Sequence, residues 1–568
     1  MAKDFEIVLE DDRQVARISA RGFDVLRNPS INAGEAFTTE QRKDLGLTGM
    51  LPPAVLTLDQ QADRIYSLLQ EQPTEMGKFL LLNKVQNTNE VLFYKVLVDH
   101  VAELLPIVYT PTIGKAIQEF NDWFMEPQGV FLDIDHPEDI EEALRASGRT
   151  ADEIDIVVAS DSEGILGIGD QGVDGIMISV GKIAVYAAAG GIHPSRCLPV
   201  VLDTGSNNQA LREHANYLGL PIDRVRDERY DRFIQAYVEA VTKVFPKAIV
   251  HWEDFAAGNA HRILEQYRDE CCSFNDDIQG TAAIVVSTVL SGLRTAGTKL
   301  VDQTFVIHGA GTAGVGIANL LVDLLIREGL SEDEARQRFF GLNSSGLLVE
   351  GGNLRDFQVP YARTREEIAE WRIADPNNIS LTEVVKNANP SILIGTSAQP
   401  GSFTQEIVEH MAITNERPII MALSNPTSKC EFLPADAIKW TDGRALLATG
   451  SPFAPVEYNG VTYHIGQGNN ALVFPGFALG VIASGATRIT DGILSTAADA
   501  VADYVTDRSL GANLLPDTSE LRPVSLAVAE KVVHEAVDSG IATVELAEAL
   551  ANVKRLMWTP AYPEIEAC

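Results

Sequence analysis

The sequence predicts an α/β protein with two α/β domains, the second a Rossmann-type doubly wound sheet, and a helical N-terminal region. Three observations predict this class. Apolar residues recur at spacings of three and four over residues 55–125, as in amphipathic helices. Short apolar strands then alternate with helical stretches from residue 154 onward. A glycine-rich turn joins an apolar strand to a long helix within residues 303–329.

The elements follow in order along the chain. Residues 1–50 are polar and rich in turn signals. The helical stretches "LDQQADRIYSLLQ" and "NEVLFYKVLVDHVAELL" come next. Strands are expected at 154–160, 197–203, 247–255, 391–397, 418–425 and 445–449, and helices over 480–556. We expect a helical region at 1–125, an α/β domain at 126–280, a dinucleotide-binding domain at 281–465 and a mainly helical region at 466–568.

Composition limits the classes of partner. The net charge is −34, from 45 basic and 79 acidic residues, which argues against nucleic acid or an anionic membrane as the main partner. The beginning of the chain, "MAKDFEIVLEDDRQ", lacks the pattern of a secretory signal, and no apolar stretch is expected to approach the length of a membrane span.

The cysteines predict a reducing compartment. They are odd in number and have no C-x-x-C spacing, so free thiols in the cytoplasm are expected. They are Cys197, Cys271, Cys272, Cys430 and Cys568.

The turn "GAGTAG" matches the dinucleotide fingerprint G-x-G-x-x-G. Gly309 permits a tight turn, Gly311 lets the backbone approach a pyrophosphate, and Gly314 allows close packing of helix on strand. Thr312 and Ala313 open the helix, whose free N–H groups attract phosphate. The competing interpretation is a tight turn that binds no ligand.

The choice of cofactor stays open at this level. The fingerprint expects an acidic residue after the next strand, to bind the ribose hydroxyls. That strand, "QRFFGLN", ends instead at Asn343, and Arg363 lies downstream as a candidate partner for a 2′-phosphate. The sequence therefore allows NAD or NADP.

Two acidic pairs lie at the ends of predicted elements. Glu253 and Asp254 follow a strand in "HWEDF", and Asp276 and Asp277 precede a helix in "FNDDIQGTAA". Three hard oxygen ligands would suit Mg²⁺ or Mn²⁺. Zinc is disfavoured, because His251 is expected on the wrong alternation to share their face. The alternative is two unrelated surface pairs, with one Asp capping a helix.

Polar residues in apolar or turn settings complete the candidates. Lys182 interrupts the apolar stretch "GIMISVGKIAVYAAAGG" and could act as a base if it is buried near carboxylates. Tyr109 precedes a Thr-Pro turn. The amides Asn425, Asn469 and Asn470 lie at strand ends and turns, where ligands of doubly wound sheets bind.

As a set, these motifs resemble those of the malic enzyme family, from "LNKVQNTNEVLFYKV" to "MWTPAY". The ordered motifs that carry the resemblance are "VYTPTIG", "ILGIGDQG", "SVGKIAVY", "LPVVLDTGSNN", "WEDF", "FNDDIQGTAA", "GAGTAG", "LSNPTS", "ATGSPF" and "GQGNNALVFPG". The resemblance implies oxidative decarboxylation of L-malate to pyruvate and CO₂, with reduction of NAD or NADP and a divalent metal.

The resemblance also assigns roles to individual residues. Lys182 would be the general base with Asp276 beside it, and Tyr109 the general acid. Metal ligands would be Glu253, Asp254 and Asp277. Asn425, Asn469 and Asn470 would bind substrate, and the cofactor site would comprise Gly309, Gly311, Thr312, Ala313, Gly314, Asn343 and Asn425. A cytoplasmic homodimer or homotetramer is the implied assembly.

One position departs from the family pattern. The segment "SDSEGILGIGD" has Gly164 where the family usually has an Arg that pairs with a malate carboxylate. Malolactic enzymes, which release lactate and retain NAD, resemble "EGILGIGD". Malolactic enzyme is therefore the alternative function. A catalytically inactive nucleotide-binding regulatory protein is the third hypothesis, against which the intact Lys182, Tyr109 and metal-ligand candidates argue.

Overall fold

The computed structural model describes residues 5–10, 13–123 and 125–568. The chain divides into two compact units. The first comprises Met1–Ala256 and Ala547–Cys568, and the second comprises Ala257–Leu546. The finer division into four regions stays a prediction.

A small sheet joins the two ends of the first unit. Strands Phe5–Glu10 and Arg13–Ile18 pair in antiparallel fashion, and Glu564–Ala567 adds to the second strand in parallel. Ile18 and Phe37 are fully buried in the core beneath it. The sequence analysis anticipated only polar turns here, because these strands are short and flanked by charged residues.

The N-terminal region is otherwise helical, as predicted. A capping box starts the helix Leu58–Gln70: Thr57 Oγ1 accepts the Gln60 N–H at 3.2 Å, and Gln60 Oε1 accepts the Thr57 N–H at 2.9 Å. The α-helices of the first unit are Phe23–Leu26, Thr39–Asp44, Leu58–Gln70, Glu75–Gln86, Glu90–Asp99, Val101–Val108, Thr112–Gln118, Ile140–Ala146, Ile176–Val185, Gln209–Arg212, Glu228–Val244 and Leu546–Leu556, the last beginning one residue before the unit boundary.

Four strands of the first unit pair in parallel. Their order is Val130–Asp133, Cys197–Asp203, Ile156–Ser160 and Ile249–Trp252. Most of their residues are buried, which explains why the strands read as continuous apolar runs in the sequence. Because parallel strands end at one edge of a sheet, Glu253 and Asp254 lie at the carboxyl edge.

The segment Gly172–Gly190 corrects one expectation. It is long and apolar enough, by length and composition alone, to cross a membrane, whereas no stretch was expected to approach that length. Its apolar window is entirely buried inside the protein, as in the core helix of a soluble protein. The segment includes the helix Ile176–Val185 and a π-helical turn, Tyr186–Gly190.

The second unit contains a seven-stranded sheet. Its strand order is Gly346–Leu347, Phe339–Asn343, Phe305–His308, Ile392–Gly395, Ile419–Ala422, Leu446–Thr449 and Gly466–Gln467. Only the first pair is antiparallel. The order reverses at Phe305–His308, as in a Rossmann sheet, so the predicted fold class is confirmed.

Helices and short hairpins complete the second unit. Its α-helices are Ala257–Tyr267, Thr281–Ala296, Thr312–Arg327, Glu332–Arg336, Leu381–Ala388, Gln405–Thr414, Pro434–Trp440, Phe474–Ser484, Asp491–Tyr504 and Leu521–Asp538, and its remaining strands are Ser273–Asn275, Val456–Tyr458 and Val461–Tyr463. Val306, Leu393 and Val408 are fully buried in the core on one face of the sheet.

Candidate active site

Lys182 lies in the middle of a buried helix. Its side chain is only 1% exposed, and Nζ lies 2.8 Å from Glu253 Oε1. The ammonium also lies 4.8 Å from the centroid of the Tyr109 ring. A Cβ at the preceding Gly181 would be 3.1 Å from that ring, so glycine permits this close approach. The structure thus brings together a buried cation, a carboxylate and a phenol.

Tyr109 ends the helix Val101–Val108 and is buried. Its hydroxyl donates to Glu253 Oε1 at 3.1 Å, the same oxygen that accepts from Lys182. One carboxylate oxygen therefore links the two residues to which the sequence analysis assigned acid and base roles.

The other oxygen of Glu253 is held by a histidine. His251 Nε2 donates to Glu253 Oε2 at 2.7 Å, and the Tyr186 hydroxyl lies 2.8 Å from His251 Nδ1. The expectation that His251 would lie on another face was wrong, because residues two apart on an extended chain share a face. Burial opposes ionisation of Glu253, but Lys182 and His251 outweigh it and lower the pKa of the carboxyl below its usual range.

Asp254 is braced by the segment around Gly164. Asp254 Oδ2 accepts the Leu166 N–H at 3.1 Å, and the Asp254 carbonyl accepts the Gly164 N–H at 3.0 Å. Asp254 and Leu166 both have positive φ, 53° and 41°, which is unusual for residues other than glycine. A Cβ at Gly164 would lie 2.8 Å from the Phe255 carbonyl oxygen, so this backbone arrangement requires glycine.

In the second unit the acidic pair Asp276–Asp277 begins a π-helical turn, Asp276–Gly280. Asp276 is fully buried and its Oδ2 accepts from the Asn470 side-chain amide, whereas Asp277 is half-buried. A Cβ at Gly280 would lie 2.0 Å from Asp276 Oδ1, so a glycine there makes room for the carboxylate.

The remaining amides are positioned by local contacts. Asn425 is exposed and lies in the loop after the strand Ile419–Ala422. Its Oδ1 accepts from Ser451 Oγ at 2.6 Å. Asn469 Oδ1 accepts the Ala471 N–H at 3.0 Å, so this side chain caps the following turn. The structure brings Asn470 to Asp276 and leaves Asn425 at the carboxyl edge of the dinucleotide-binding sheet.

The glycine turn has the geometry of a phosphate cradle. Gly309 has a φ of 112°, and a Cβ there would lie 2.5 Å from the Thr396 carbonyl carbon. A Cβ at Gly311 would meet nothing within 4 Å, so this glycine faces open space. The helix Thr312–Arg327 begins after Gly311 without a side-chain cap, which leaves its first N–H groups for a ligand. These features fit a bound dinucleotide.

The structure gives Arg363 a role other than phosphate binding. Its guanidinium donates to the Phe339 carbonyl at 2.7 Å, lies 4.0 Å from the centroid of the Phe340 ring, and pairs with Glu367. Arg363 is buried, so the suggestion that it might bind a 2′-phosphate was wrong. Asn343 Oδ1 accepts the Ser345 N–H at 2.7 Å, which closes a local turn.

The carboxylates also fit a metal of the expected type. Glu253 and Asp254 are buried and offer hard oxygen atoms, which suit Mg²⁺ or Mn²⁺. Sequence reasoning missed His251 and Tyr186 as functional candidates. The spacing H-x-E at the end of the strand Ile249–Trp252 was the signal that could have revealed the first of them.

A Rossmann sheet with this glycine turn, together with the buried Lys–Glu–Tyr cluster, defines the class of dinucleotide-dependent α/β enzymes. Comparisons identify the family. A family model described as "Malic enzyme, NAD binding domain" matches residues 278–537, and one described as "Malic enzyme, N-terminal domain" matches residues 86–268.

Relatives match most or all of the chain. NAD-dependent malic enzyme 3 of Bacillus subtilis (strain 168) is 50% identical over 567 residues, which cover 100% of both chains. A malolactic enzyme of Leuconostoc mesenteroides is 43% identical and covers 96% of this chain and 100% of its own. The crystal structure of malic enzyme from Pyrococcus horikoshii is 25% identical, covers 80% of this chain and 89% of its own, and has a TM-score of 0.54. The chain belongs to the malic enzyme family.

Proposed function

We propose that this protein catalyses the oxidative decarboxylation of L-malate to pyruvate and CO₂, with NAD⁺ as the oxidant and a divalent metal as cofactor. The observation that carries the proposal is the buried cluster in which Lys182 and Tyr109 share Glu253 Oε1. A buried lysine held between a carboxylate and a phenol is suited to proton transfer in a site shielded from water.

The cofactors supply the electrophilic chemistry. When bound, the cation polarises the 2-hydroxyl and later the keto oxygen of the substrate, and NAD⁺ accepts the hydride from C2. Glu253, Asp254 and Asp277 are the proposed metal ligands. Asn425, Asn469 and Asn470 are the proposed substrate-binding amides, and the turn from Gly309 to Gly314 is the proposed site of the NAD⁺ pyrophosphate.

The residues of the cluster move the protons. Lys182 acts in its unprotonated amine form and accepts the hydroxyl proton as hydride leaves C2, and Asp276 is proposed to favour this step. The C3–C4 bond then breaks, CO₂ leaves, and Tyr109 gives a proton to C3. Lys182 returns its proton to Tyr109, so the reaction consumes malate and NAD⁺ and yields pyruvate, CO₂ and NADH without net proton change.

Malolactic enzyme is the second candidate, because the segment around Gly164 resembles that of malolactic enzymes. An assay with L-malate, Mn²⁺ and either NAD⁺ or NADP⁺, in which reduced cofactor, pyruvate and lactate are all measured, separates the candidates. We expect pyruvate with NADH in equal amounts, faster than with NADP⁺. Lactate without net cofactor reduction would establish the malolactic reaction, and no turnover under any condition would revive the inactive binding protein.

The role of Lys182 is tested in the same assay. Lys182→Met keeps the length and apolar stem of the side chain but removes the ammonium, and we expect turnover to fall by at least about 10³-fold because a positioned general base is lost. Near-normal turnover would contradict the assignment. A homodimer or homotetramer in the cytoplasm is the proposed assembly and location; light scattering of the purified protein measures the former.

A further inference from the structure

A buried carboxylate lies below the carboxyl edge of the dinucleotide-binding sheet. Glu431 is 0% exposed, and its Oε1 accepts three hydrogen bonds. The donors are the Ser397 N–H at 2.9 Å, the Ser397 hydroxyl at 3.0 Å and the Ser424 hydroxyl at 2.5 Å. Among the residues that the structure describes, Oε2 has no hydrogen-bond partner. A core packed for stability alone would favour an apolar side chain here, since burying a carboxylate is costly.

The two serines belong to different loops. Ser397 follows the strand Ile392–Gly395, and Ser424 follows the neighbouring strand Ile419–Ala422. Glu431 therefore ties together two adjacent loops at the edge where doubly wound sheets bind their ligands. The carboxylate lies against the end of the strand Ile392–Gly395, because a Cβ at Gly395 would be 2.7 Å from the Glu431 carboxyl carbon.

One of the loops contains a residue in an unfavourable conformation. Ala398 has a φ of 55°, in the left-handed region that residues with a Cβ seldom adopt. Its N–H donates to Ser424 Oγ at 2.8 Å, while the same hydroxyl donates to Glu431. Such conformations persist where surrounding contacts hold them, and they concentrate at functional sites. Here the hydrogen bond from Ala398 to Ser424 holds the conformation, and Ser424 is in turn hydrogen-bonded to the buried carboxylate.

The same loop supports the glycine turn. Thr396 Oγ1 donates to the Gly309 carbonyl at 2.7 Å, and a Cβ at Gly309 would lie 2.7 Å from the Ser397 nitrogen. The loop thus bonds the backbone of the phosphate cradle through Thr396 and bonds Glu431 through the adjacent Ser397. A shift of this loop would change the backbone conformation of the glycine turn.

We propose that Glu431 is a positioning residue for the dinucleotide site. It fixes the Thr396–Ala398 segment through Ser397 and Ser424, and this segment in turn holds Gly309 in the conformation that receives the pyrophosphate. Glu431 does not touch the cofactor. The inference rests on the proposed NAD⁺-linked function, and it predicts that loss of the accepting oxygen at position 431 weakens cofactor binding selectively.

The test measures NADH binding to the full-length protein by fluorescence titration, without malate or metal, alongside the thermal unfolding midpoint and the KM values for NAD⁺ and malate. We expect Glu431→Ala to weaken NADH binding by at least about tenfold and to raise the KM for NAD⁺ similarly, with the KM for malate changed less than about twofold. Glu431→Gln keeps an acceptor oxygen, so it should retain most of the affinity.

Two further variants keep the result interpretable. Val408→Ala shortens a fully buried side chain of the same core, in the helix Gln405–Thr414, so it should lower the unfolding midpoint and leave NADH affinity unchanged. Ser424→Ala removes only the bridging hydroxyl and should weaken NADH binding by about threefold or more, which provides the test if Glu431→Ala does not fold.

Wild-type affinity in Glu431→Ala or Ser424→Ala, or equal weakening in Val408→Ala, would overturn the inference. Failure of the proposed function would look different: the wild-type protein itself would not bind NADH, or would bind it and form neither pyruvate nor lactate.

Discussion

Asp174 should make the stability of the first unit depend on pH. The residue is 1% exposed, and its Oδ2 accepts from the side-chain amide of Asn121. Burial, with a smaller contribution from Asp203, raises the pKa of the carboxyl from 3.8 to about 7, although the Asn121 hydrogen bond opposes the rise. The folded protein therefore holds a proton on Asp174 that the unfolded chain releases near pH 4.

The sign and size of the effect follow from proton linkage. Because the folded pKa lies above the unfolded pKa, the folded state binds more protons between about pH 4 and pH 7, and the free energy of unfolding falls as the pH rises through this window. A difference of about three pKa units, at 1.36 kcal/mol for each unit, corresponds to an upper limit of about 4 kcal/mol. Asp174→Asn removes this penalty and keeps an oxygen to accept from Asn121.

Denaturant unfolding of wild type and Asp174→Asn at pH 4.5, 6 and 8 measures the effect. We expect Asp174→Asn to be nearly neutral at the lowest pH and to stabilise increasingly above it, by up to about 4 kcal/mol at pH 8. The exposed Asp139 is the matched control, and Asp139→Asn should change stability by less than about 0.5 kcal/mol at each pH. A difference between wild type and Asp174→Asn that did not change with pH would refute the reasoning.

Two further predictions address the sites themselves. Tyr186→Phe removes the hydroxyl beside His251 Nδ1, and His251 in turn orients Glu253. We expect this variant to bind Mn²⁺ about tenfold more weakly in an electron paramagnetic resonance titration. Unchanged Mn²⁺ affinity would contradict the role of Tyr186 and His251. Gly309→Ala places a Cβ 2.5 Å from the Thr396 carbonyl carbon at a positive φ, and should weaken NADH binding by at least about tenfold while Mn²⁺ binding is retained. Normal NADH affinity in this variant would show that the turn does not receive the cofactor.

The fold was predictable where local patterns and tertiary structure agree. Buried parallel strands are short apolar runs, so Cys197–Asp203 was predicted with the observed bounds, and Ile392–Gly395 and Ile419–Ala422 lie inside their predicted ranges. The N-terminal strands were missed because Phe5–Glu10 and Arg13–Ile18 carry charged residues at their ends. Their sheet is completed by Glu564–Ala567, a partner more than 500 residues away, and no local pattern predicts such a pairing.

The site was only partly predictable because burial is a tertiary property. The sequence indicated Lys182 and Glu253 as separate candidates, but only the structure shows that a single carboxylate oxygen accepts from both Lys182 and Tyr109. Glu431 gave no signal at all, since a glutamate in a loop segment is usually exposed to solvent. Its burial becomes visible only when the loops after two neighbouring strands are placed over it.

The structure gives Gly164 an explanation that the sequence alone did not suggest. The family usually has an Arg at this position, and its absence suggested the malolactic reaction. In the structure the segment around Gly164 lies directly on Asp254 and Phe255, where a Cβ would come within 2.8 Å of a carbonyl oxygen. The glycine is therefore explained by the close approach of two backbone segments, and this requirement is independent of the fate of pyruvate. The outcome of the reaction should then depend on whether NADH and pyruvate leave the site before the hydride returns, which the combined assay of NADH, pyruvate and lactate measures directly.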